Sequence, residues 1–405
     1  MTGLAVWLDE HEVGWLRPAD GERPEAAARL SLAYLERWTA EVLGYALAPT
    51  LPMPARGGPG SELADDAVMA YFSRLLPAGE ARQQTFAALG LPPEDVFGAL
   101  RAMGRDLAGA VRLIDEGRGR PAGPTQRQIP REELSERLRH RDALPFAVWD
   151  GLARGALPGA SDKLGVYVER DGGWHLVDGP QMASTHVLRP APLGEGGHDR
   201  SFDEYFCMRL AARLGVEVAP VELHCVPEPV LLVGRFDRQR MDDGRVRRLH
   251  AIEATQARGD SLSALFALLG HSPTPLVDGR ALLRWVAFHH LIGQSAPDAR
   301  NVSFFVDHGG LRLAPAHGFR SGPPGSSAPA PFTADDWAAF ARDSELAPRA
   351  LALELKRTGE AVRAQAEALA EELAAEVPRP VVERLLQLTT TEGDRLVALA
   401  PEIAR

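Results

Sequence analysis

The 405-residue sequence contains only two cysteines, too few for a disulfide scaffold. Neither Cys207 nor Cys225 has a Cys or His neighbour at zinc-binding spacing, so we expect two reduced structural thiols. No apolar run approaches the roughly 18 residues that a membrane helix requires, and the acidic N-terminal segment lacks the basic and apolar regions of a signal peptide. These absences predict a cytoplasmic protein with no membrane partner.

Lysine is almost missing as well, because only Lys163 and Lys356 among the 45 basic residues are not arginine. The formal net charge is −10, which disfavours binding to the phosphate backbone of a nucleic acid. A hydrophobic fraction of 45% with 25% charged residues is typical of a folded globular chain. The length predicts about two to three domains, and the charge predicts no direct nucleic-acid partner.

The pattern of apolar residues changes along the chain and predicts four regions. Residues 1–116 combine an alternating segment, typical of a hairpin, with helical periodicity, which indicates a small mixed α/β subdomain. Residues 117–150 begin with a Gly/Pro/Arg-rich boundary and continue as a linker with a connecting helix. Five short strands and one helix follow in 151–259, and helices dominate 260–405 apart from one strand pair. The predicted fold class is α+β, with a β-rich lobe and a helical lobe.

A glycine-containing loop is the first candidate functional segment. Residues 155–163 precede a predicted strand and could direct backbone N–H groups at phosphate oxygens. Such a glycine pattern is weak by itself, since a plain turn between strands explains it equally well. Lys163 adds to the functional interpretation, because one of the two lysines in the chain falls at the end of this loop.

Six motifs follow one another along the chain: Val13-Gly14, 71–77, 104–111, 158–163, Glu204-Tyr205 and 233–238. Their order resembles, nearly from end to end, that of the HipA family of bacterial serine/threonine kinases, which are toxins of toxin–antitoxin modules. The resemblance implies a bilobal, protein-kinase-like fold in which a small N-terminal subdomain precedes a β-rich N-lobe and a helical C-lobe.

The resemblance implies an ATP site in the β-rich lobe. Arg189 stands where the family carries the strand lysine that contacts phosphates, and Glu204 would form a structural ion pair with it. The implied nucleotide-binding residues are Gly159, Ala160, Ser161, Lys163, Arg189, Val233 and Phe236.

The catalytic half departs from the family pattern where phosphoryl transfer is most demanding. Ala296 occupies the position of the catalytic base, and Gly318 occupies that of the metal-binding Asp. Asn301 is retained as a candidate metal ligand, and Ala156 replaces the loop serine that the family autophosphorylates. A transfer site without its base and main metal carboxylate loses many powers of ten in rate. We therefore interpret the chain as a pseudokinase that binds ATP and/or a partner protein, and Mg²⁺ is doubtful.

Two other interpretations stay open. In the first, the chain is an active divergent serine/threonine kinase in which Asp298 replaces the base and Asn301 holds a metal, although Pro297 makes this shift awkward. In the second, the site performs a different chemistry, such as nucleotidyl transfer. In either case the resemblance implies a HipB-like helix-turn-helix antitoxin, or another partner protein, through which DNA would be reached.

Three remaining features have structural explanations that we prefer. His289 and His290 are adjacent rather than four residues apart, which favours helix packing over a metal pair. The arginines between residues 235 and 248 could bind phosphate, but a charged hairpin on the surface is the preferred interpretation. The Pro/Ser/Gly-rich segment 319–332 predicts a mobile loop.

Overall fold

A computed structural model of the protein describes residues 3–19, 29–55, 62–64, 66–115, 117, 125–179, 182–194, 196–295, 298–322 and 330–405. The chain divides into two compact units. The first comprises 1–193, 224–252 and 305–308, and the second comprises 194–223, 253–304 and 309–405. Within the part of the chain that is described, no helix is both long and apolar enough to cross a membrane.

The described chain alternates between strands and helices. The strands are β1 (Leu4–Leu8), β2 (His11–Pro18), β3 (Leu30–Tyr34), β4 (Glu62–Leu63), β5 (Val111–Ile114), β6 (Thr125–Gln128), β7 (Val148–Trp149), β8 (Leu152–Ala153), β9 (Leu164–Val168), β10 (Trp174–Asp178), β11 (His186–Pro190), β12 (Val221–Val226), β13 (Glu228–Gly234), β14 (Arg238–Arg240), β15 (Val246–Arg248), β16 (Ala251–Glu253), β17 (Ser303–Asp307) and β18 (Gly310–Leu313). The helices are α1 (Glu36–Ala40), α2 (Asp66–Ser73), α3 (Gly79–Ala88), α4 (Val96–Met103), α5 (Arg131–Arg139), α6 (Gly197–Arg213), α7 (Leu262–Leu268), α8 (Pro275–Leu291), α9 (Ala334–Asp343), α10 (Pro348–Glu372) and α11 (Arg379–Ile403).

The N-terminal region combines one antiparallel sheet with four short helices, α1 to α4. Its five antiparallel strands lie in the order β4-β3-β2-β1-β5. The alternating pattern correctly predicted the β1–β2 hairpin, in which Leu4 lies opposite Leu16. Strand β1 is buried at four of its five positions, and helices α2 and α4 contact strands β3 and β5 of the same sheet.

The second sheet of the first unit has six strands, in the order β12-β13-β11-β9-β10-β6, where the sequence predicted five. The additional strand, β6, lies in the Gly/Pro/Arg-rich stretch and pairs antiparallel with β10. Its sequence, Thr-Gln-Arg-Gln, is largely exposed because it forms the edge of the sheet. An edge strand without a buried face has no alternating apolar pattern, so β6 could not be predicted from apolar periodicity.

The second unit is mainly helical, as predicted for the C-terminal region. Helices α8 and α10 each begin with a proline at the first helical position, where the missing N–H has no cost. The two longest helices, α10 and α11, pack closely where Gly359 meets Gly393. A Cβ on Gly359 would lie 2.5 Å from the carbonyl oxygen of Gly393, so this approach requires glycine.

Candidate functional site

The glycine-containing loop of the first unit ends in a lysine that folds back onto it. Gly159 has a φ of +104°, and a Cβ there would lie 2.8 Å from Nζ of Lys163. The Lys163 ammonium group donates a hydrogen bond to the carbonyl oxygen of Pro158. Ala160 and Ser161 are exposed at the tip. The structure therefore brings four of the predicted nucleotide-binding residues together in one short, partly exposed loop.

Asp162 holds the C-terminal end of the loop. Its carboxylate accepts hydrogen bonds from the backbone N–H groups of Phe146 and Lys163, and the guanidinium groups of Arg137 and Arg141 lie near it. Burial nevertheless outweighs these contacts and raises the pKa of Asp162 to about 6. The connection at this end of the loop therefore depends on a carboxylate that titrates near neutral pH.

Arg189 and Val233 lie on the same face of the six-stranded sheet. Val187 is directly opposite Val233 in the β11–β13 pair, and Arg189 follows Val187 by two residues. The opposite face carries the buried leucines and valines that pack with α5. The strand alternation thus directs the two predicted nucleotide residues away from the core. Just after β13, the ring of Phe236 packs edge-to-face against Phe305, with centroids 5.8 Å apart.

A buried network of charges lies immediately beyond the end of β13. Asp237 accepts hydrogen bonds of 2.9 and 2.7 Å from Arg235, and a third of 2.7 Å from the backbone N–H of Gly109. Asp106 accepts a hydrogen bond of 2.9 Å from Arg238. Burial alone would raise the pKa of both carboxyl groups, but the two guanidinium groups outweigh it and hold each pKa below its usual value.

This network corrects the sequence analysis, which preferred a surface hairpin for the arginines between residues 235 and 248. Arg235, Arg238 and Arg248 are buried, with 8%, 9% and 3% of their surface exposed. For these three residues the interpretation was wrong, because a partner, Asp106, lies 132 residues before Arg238 in the chain. Local charge patterns carry no information about a partner at that separation. Arg245 and Arg247 are exposed at the β14–β15 strand pair, as expected.

In the second unit, the retained Asn301 lies beside Gly318. Gly318 has a φ of +72°, and a Cβ on it would lie 3.9 Å from Oδ1 of Asn301. The position at which the family carries its metal-binding Asp therefore adjoins Asn301 but has no side chain. Across the described residues, no group of three or more His, Cys, Asp or Glu side chains could hold a metal ion. A single amide oxygen does not fit the carboxylate-containing ligand set that Mg²⁺ prefers.

Asp298, the alternative base, is engaged in local structure. Its carboxylate lies 2.6 Å from a terminal nitrogen of Arg300 and accepts the Arg300 backbone N–H at 2.9 Å. It thereby caps the short 3₁₀ turn Ala299–Asn301. The hydrogen bond from the Arg300 side chain lowers the pKa of Asp298, which makes it a weaker base. The preceding Ala296 and Pro297 lie outside the described residues.

Glu204 is buried on α6 in the second unit, and the Arg320 guanidinium group lies 3.9 Å from its carboxylate. Arg189 belongs to the first unit, so the ion pair between Glu204 and Arg189 stays a prediction. The neighbouring Tyr205 donates a hydrogen bond of 3.1 Å to Glu376. The Glu-Tyr pair is thus part of the helical packing of the second unit.

The two adjacent histidines of α8 are buried, which confirms that they pack within the helical unit. Nδ1 of His289 lies 2.9 Å from the carbonyl oxygen of Trp285. The ring of His290 lies between Phe332 and Trp337, with both centroid distances 4.5 Å. Among the described residues, neither ring nitrogen of His290 has a hydrogen-bond partner.

Comparison with known proteins identifies relatives that match most of this chain. The profile of the HipA-like C-terminal domain matches residues 155–383, and that of the HipA N-terminal domain matches residues 4–114. The serine/threonine-protein kinase toxin HipA of Shewanella oneidensis is 27% identical over 340 residues, which cover 78% of this chain and 75% of the relative. The putative kinase Y4mE of Sinorhizobium fredii is 32% identical over 336 residues, with coverage of 78% and 76%.

A solved structure shows the same fold. The Shewanella oneidensis MR-1 toxin–antitoxin complex of HipA, HipB and operator DNA contains a chain that matches with a TM-score of 0.82. The match covers 99% of both chains at 23% sequence identity. The kinase-like α+β fold predicted from the sequence is therefore confirmed. Together with the C-terminal profile, which covers more than half of the sequence, these similarities establish that the chain belongs to the HipA family.

Proposed function

We propose that this chain is a HipA-like protein of a toxin–antitoxin module in which phosphoryl transfer has been lost, and that it acts by binding ATP and/or a partner protein. The observation that carries the proposal is Gly318 beside Asn301, because the metal-binding carboxylate is replaced by a bare backbone position. Ala296 at the position of the base removes a second, independent part of the mechanism.

The features that would bind a nucleotide are better preserved than those that would react with it. The loop around Gly159 offers backbone N–H groups, and Lys163 offers an ammonium group beside them. Arg189 and Val233 share one face of the sheet, where they would contact the phosphates and the adenine ring respectively. This difference between the binding and the reacting positions favours a binding protein over an enzyme.

A HipB-like antitoxin is the partner that we propose. The structural relative was solved as a complex of HipA, HipB and operator DNA, and its fold extends over 99% of the present chain. The formal charge of −10 makes direct contact with DNA unfavourable, so a partner would supply that contact.

Calorimetric titration of the purified protein with ATP tests the proposal. We expect ATP to bind with an affinity that changes by less than about twofold between 5 mM Mg²⁺ and EDTA, because the metal carboxylate is absent. Affinity that rises tenfold or more with Mg²⁺ would contradict the loss of the metal site. If ATP does not bind in either condition, only the partner-binding part of the proposal survives, and titration with a co-encoded helix-turn-helix protein tests it.

The alternative, an active kinase, depends on Asp298. We expect Asp298→Ala to leave phosphate transfer from ATP at the background level of the unmodified protein. The variant should lower the free energy of unfolding by about 1 kcal/mol, because it removes the cap of the 3₁₀ turn. Metal-dependent transfer by the unmodified protein that disappears in Asp298→Ala would establish the alternative, and Asp335→Ala, an exposed change in α9, is the control.

A further inference from the structure

Backbone hydrogen bonds join the glycine-containing loop to the N-terminal subdomain at two points. The backbone N–H of Ala156 donates to the carbonyl oxygen of Asp106 at 3.0 Å. The backbone N–H of Ala78 donates to the carbonyl oxygen of Gly159, also at 3.0 Å, and Pro77 forms an isolated parallel bridge with Gly159. The start and the middle of the loop are therefore both attached to residues that come long before it in the chain.

The first attachment requires a glycine in the loop. Gly155 has a φ of +84°, and a Cβ on it would lie only 2.4 Å from the carbonyl oxygen of Asp106. Real Cβ atoms do not approach a backbone oxygen this closely, so any other residue would push the two segments apart. The close contact is specific to the junction between the loop and Asp106.

The side chain of Asp106 fixes the position of its own carbonyl group. Its carboxylate accepts the backbone N–H of Ser184, just before β11, at 3.0 Å. It also accepts a hydrogen bond of 2.9 Å from Arg238, just after β13. Asp106 thus connects three segments: the loop through its carbonyl oxygen, and the ends of two strands through its carboxylate. The half-buried carboxylate also lies 3.6 Å from Arg235, so hydrogen bonds and charge pairing both restrict its movement.

We propose that Asp106 is a positioning residue, and that the N-terminal subdomain uses it together with Ala78 to hold residues 155–163 in one conformation before any nucleotide arrives. A loop that is already ordered loses less conformational entropy on binding than a free loop does. The N-terminal subdomain would in this way set the nucleotide affinity of the β-rich region. The effect on affinity rests on the proposed nucleotide binding, whereas the ordering of the loop is a property of the protein alone.

Hydrogen exchange of the full-length protein without nucleotide tests the ordering directly. We expect Gly155→Ala to speed exchange of the amides in 155–163 by at least tenfold, while peptides from β1 and β2 keep their original rates. Gly151→Ala is the matched control, because Gly151 also has a positive φ, +73°, but a Cβ on it would touch nothing within 4 Å. It introduces the same kind of backbone strain without displacing the loop.

A second variant and a second measurement keep the two proposals separate. Asp106→Asn should also release the loop, because the amide cannot replace both contacts of the carboxylate. Equal loop exchange in Gly155→Ala and Gly151→Ala would overturn the inference. The second measurement is titration with ATP. If Gly155→Ala releases the loop as expected, ATP should bind at least tenfold more weakly to Gly155→Ala than to Gly151→Ala. If the loop is released but the ATP affinity stays the same, the positioning role of Asp106 is wrong. If the unmodified protein binds no ATP, the proposed nucleotide binding fails, and hydrogen exchange still tests whether the N-terminal contacts order the loop.

Discussion

Replacing Asp237 with alanine is expected to lower the free energy of unfolding by about 3–5 kcal/mol, because Arg235 and Arg238, both buried, would then share a single carboxylate, that of Asp106. Asp237 accepts two hydrogen bonds from Arg235, and Arg238 lies 3.1 Å from the same carboxylate. The side chains of both arginines are less than 5% exposed, so water cannot replace the lost carboxylate. The backbone N–H of Gly109 loses its acceptor in the same variant.

Denaturant unfolding of the full-length protein measures this loss, and the chain provides a matched control. Asp243 and Arg245 are two residues apart, as Asp237 and Arg235 are. They form an ion pair with an N···O distance of 2.7 Å, and both side chains are about half exposed. Exposed pairs of this kind contribute little to stability, so Asp243→Ala should leave the unfolding midpoint unchanged. Similar midpoints for Asp237→Ala and Asp243→Ala would show that burial of the network does not matter for stability.

The sequence predicted those parts of the fold whose signal is local. Strands β9, β10 and β11 were predicted because one face of each is buried, which produces alternation along the chain. The helices α7, α8 and α10 were predicted from their helical periodicity. The edge strand β6 was missed because it has no buried face, and tertiary pairing with β10 alone makes it a strand.

The candidate site shows the same division between local and distant information. The loop residues Gly159 and Lys163 could be identified from the sequence because they follow one another within a few positions. The anchoring role of Asp106 could not be identified, although the motif 104–111 is one of those that carry the family resemblance. Its contacts with Ala156 and Arg238 join parts of the chain 50 or more residues apart. The family resemblance placed Asp106 within a motif. Only the structure shows the contacts that its carboxylate makes.

The residues that organise the loop are distinct from those that the family uses for catalysis. The anchoring contacts of Asp106 and Ala78 lie entirely within the first unit, and they do not depend on residue 296 or 318. The proposed loss of the base and of the metal carboxylate would therefore remove none of these contacts. On the proposed function, this independence would let the chain lose reaction chemistry and still keep its loop in place.

Mild acid is expected to destabilise the helical second unit, because two histidines that are buried and neutral in the folded chain bind protons once the chain unfolds. Burial lowers the pKa of His289 from 6.5 to about 4 and that of His290 to about 3. Below pH 6.5 the unfolded chain binds protons that the folded chain does not, so stability falls as the pH drops from 6.5 towards 4. At pH 5 each histidine accounts for a loss of about 2 kcal/mol relative to pH 7, or about 4 kcal/mol together.

The variant His290→Phe separates this effect from general acid sensitivity. Phenylalanine keeps the packing between Phe332 and Trp337, and it removes two ring nitrogens that lack hydrogen-bond partners among the described residues. We expect it to raise the free energy of unfolding at pH 7 by about 1–2 kcal/mol. At pH 5 the advantage should grow by about 2 kcal/mol, because one of the two proton-binding sites of the unfolded state is gone.

His289→Phe is the comparison that distinguishes titration from packing. It removes a titrating group of the same kind, but it also leaves the carbonyl oxygen of Trp285 without the contact that Nδ1 of His289 makes at 2.9 Å. This variant should therefore give no gain at pH 7, yet its advantage over the unmodified protein should still rise between pH 7 and pH 5. Free energies of unfolding measured by denaturant titration at both pH values test the scheme. If the stability of His290→Phe and that of the unmodified protein fall in parallel with pH, His290 does not titrate during unfolding, and the acid sensitivity of this unit has another source.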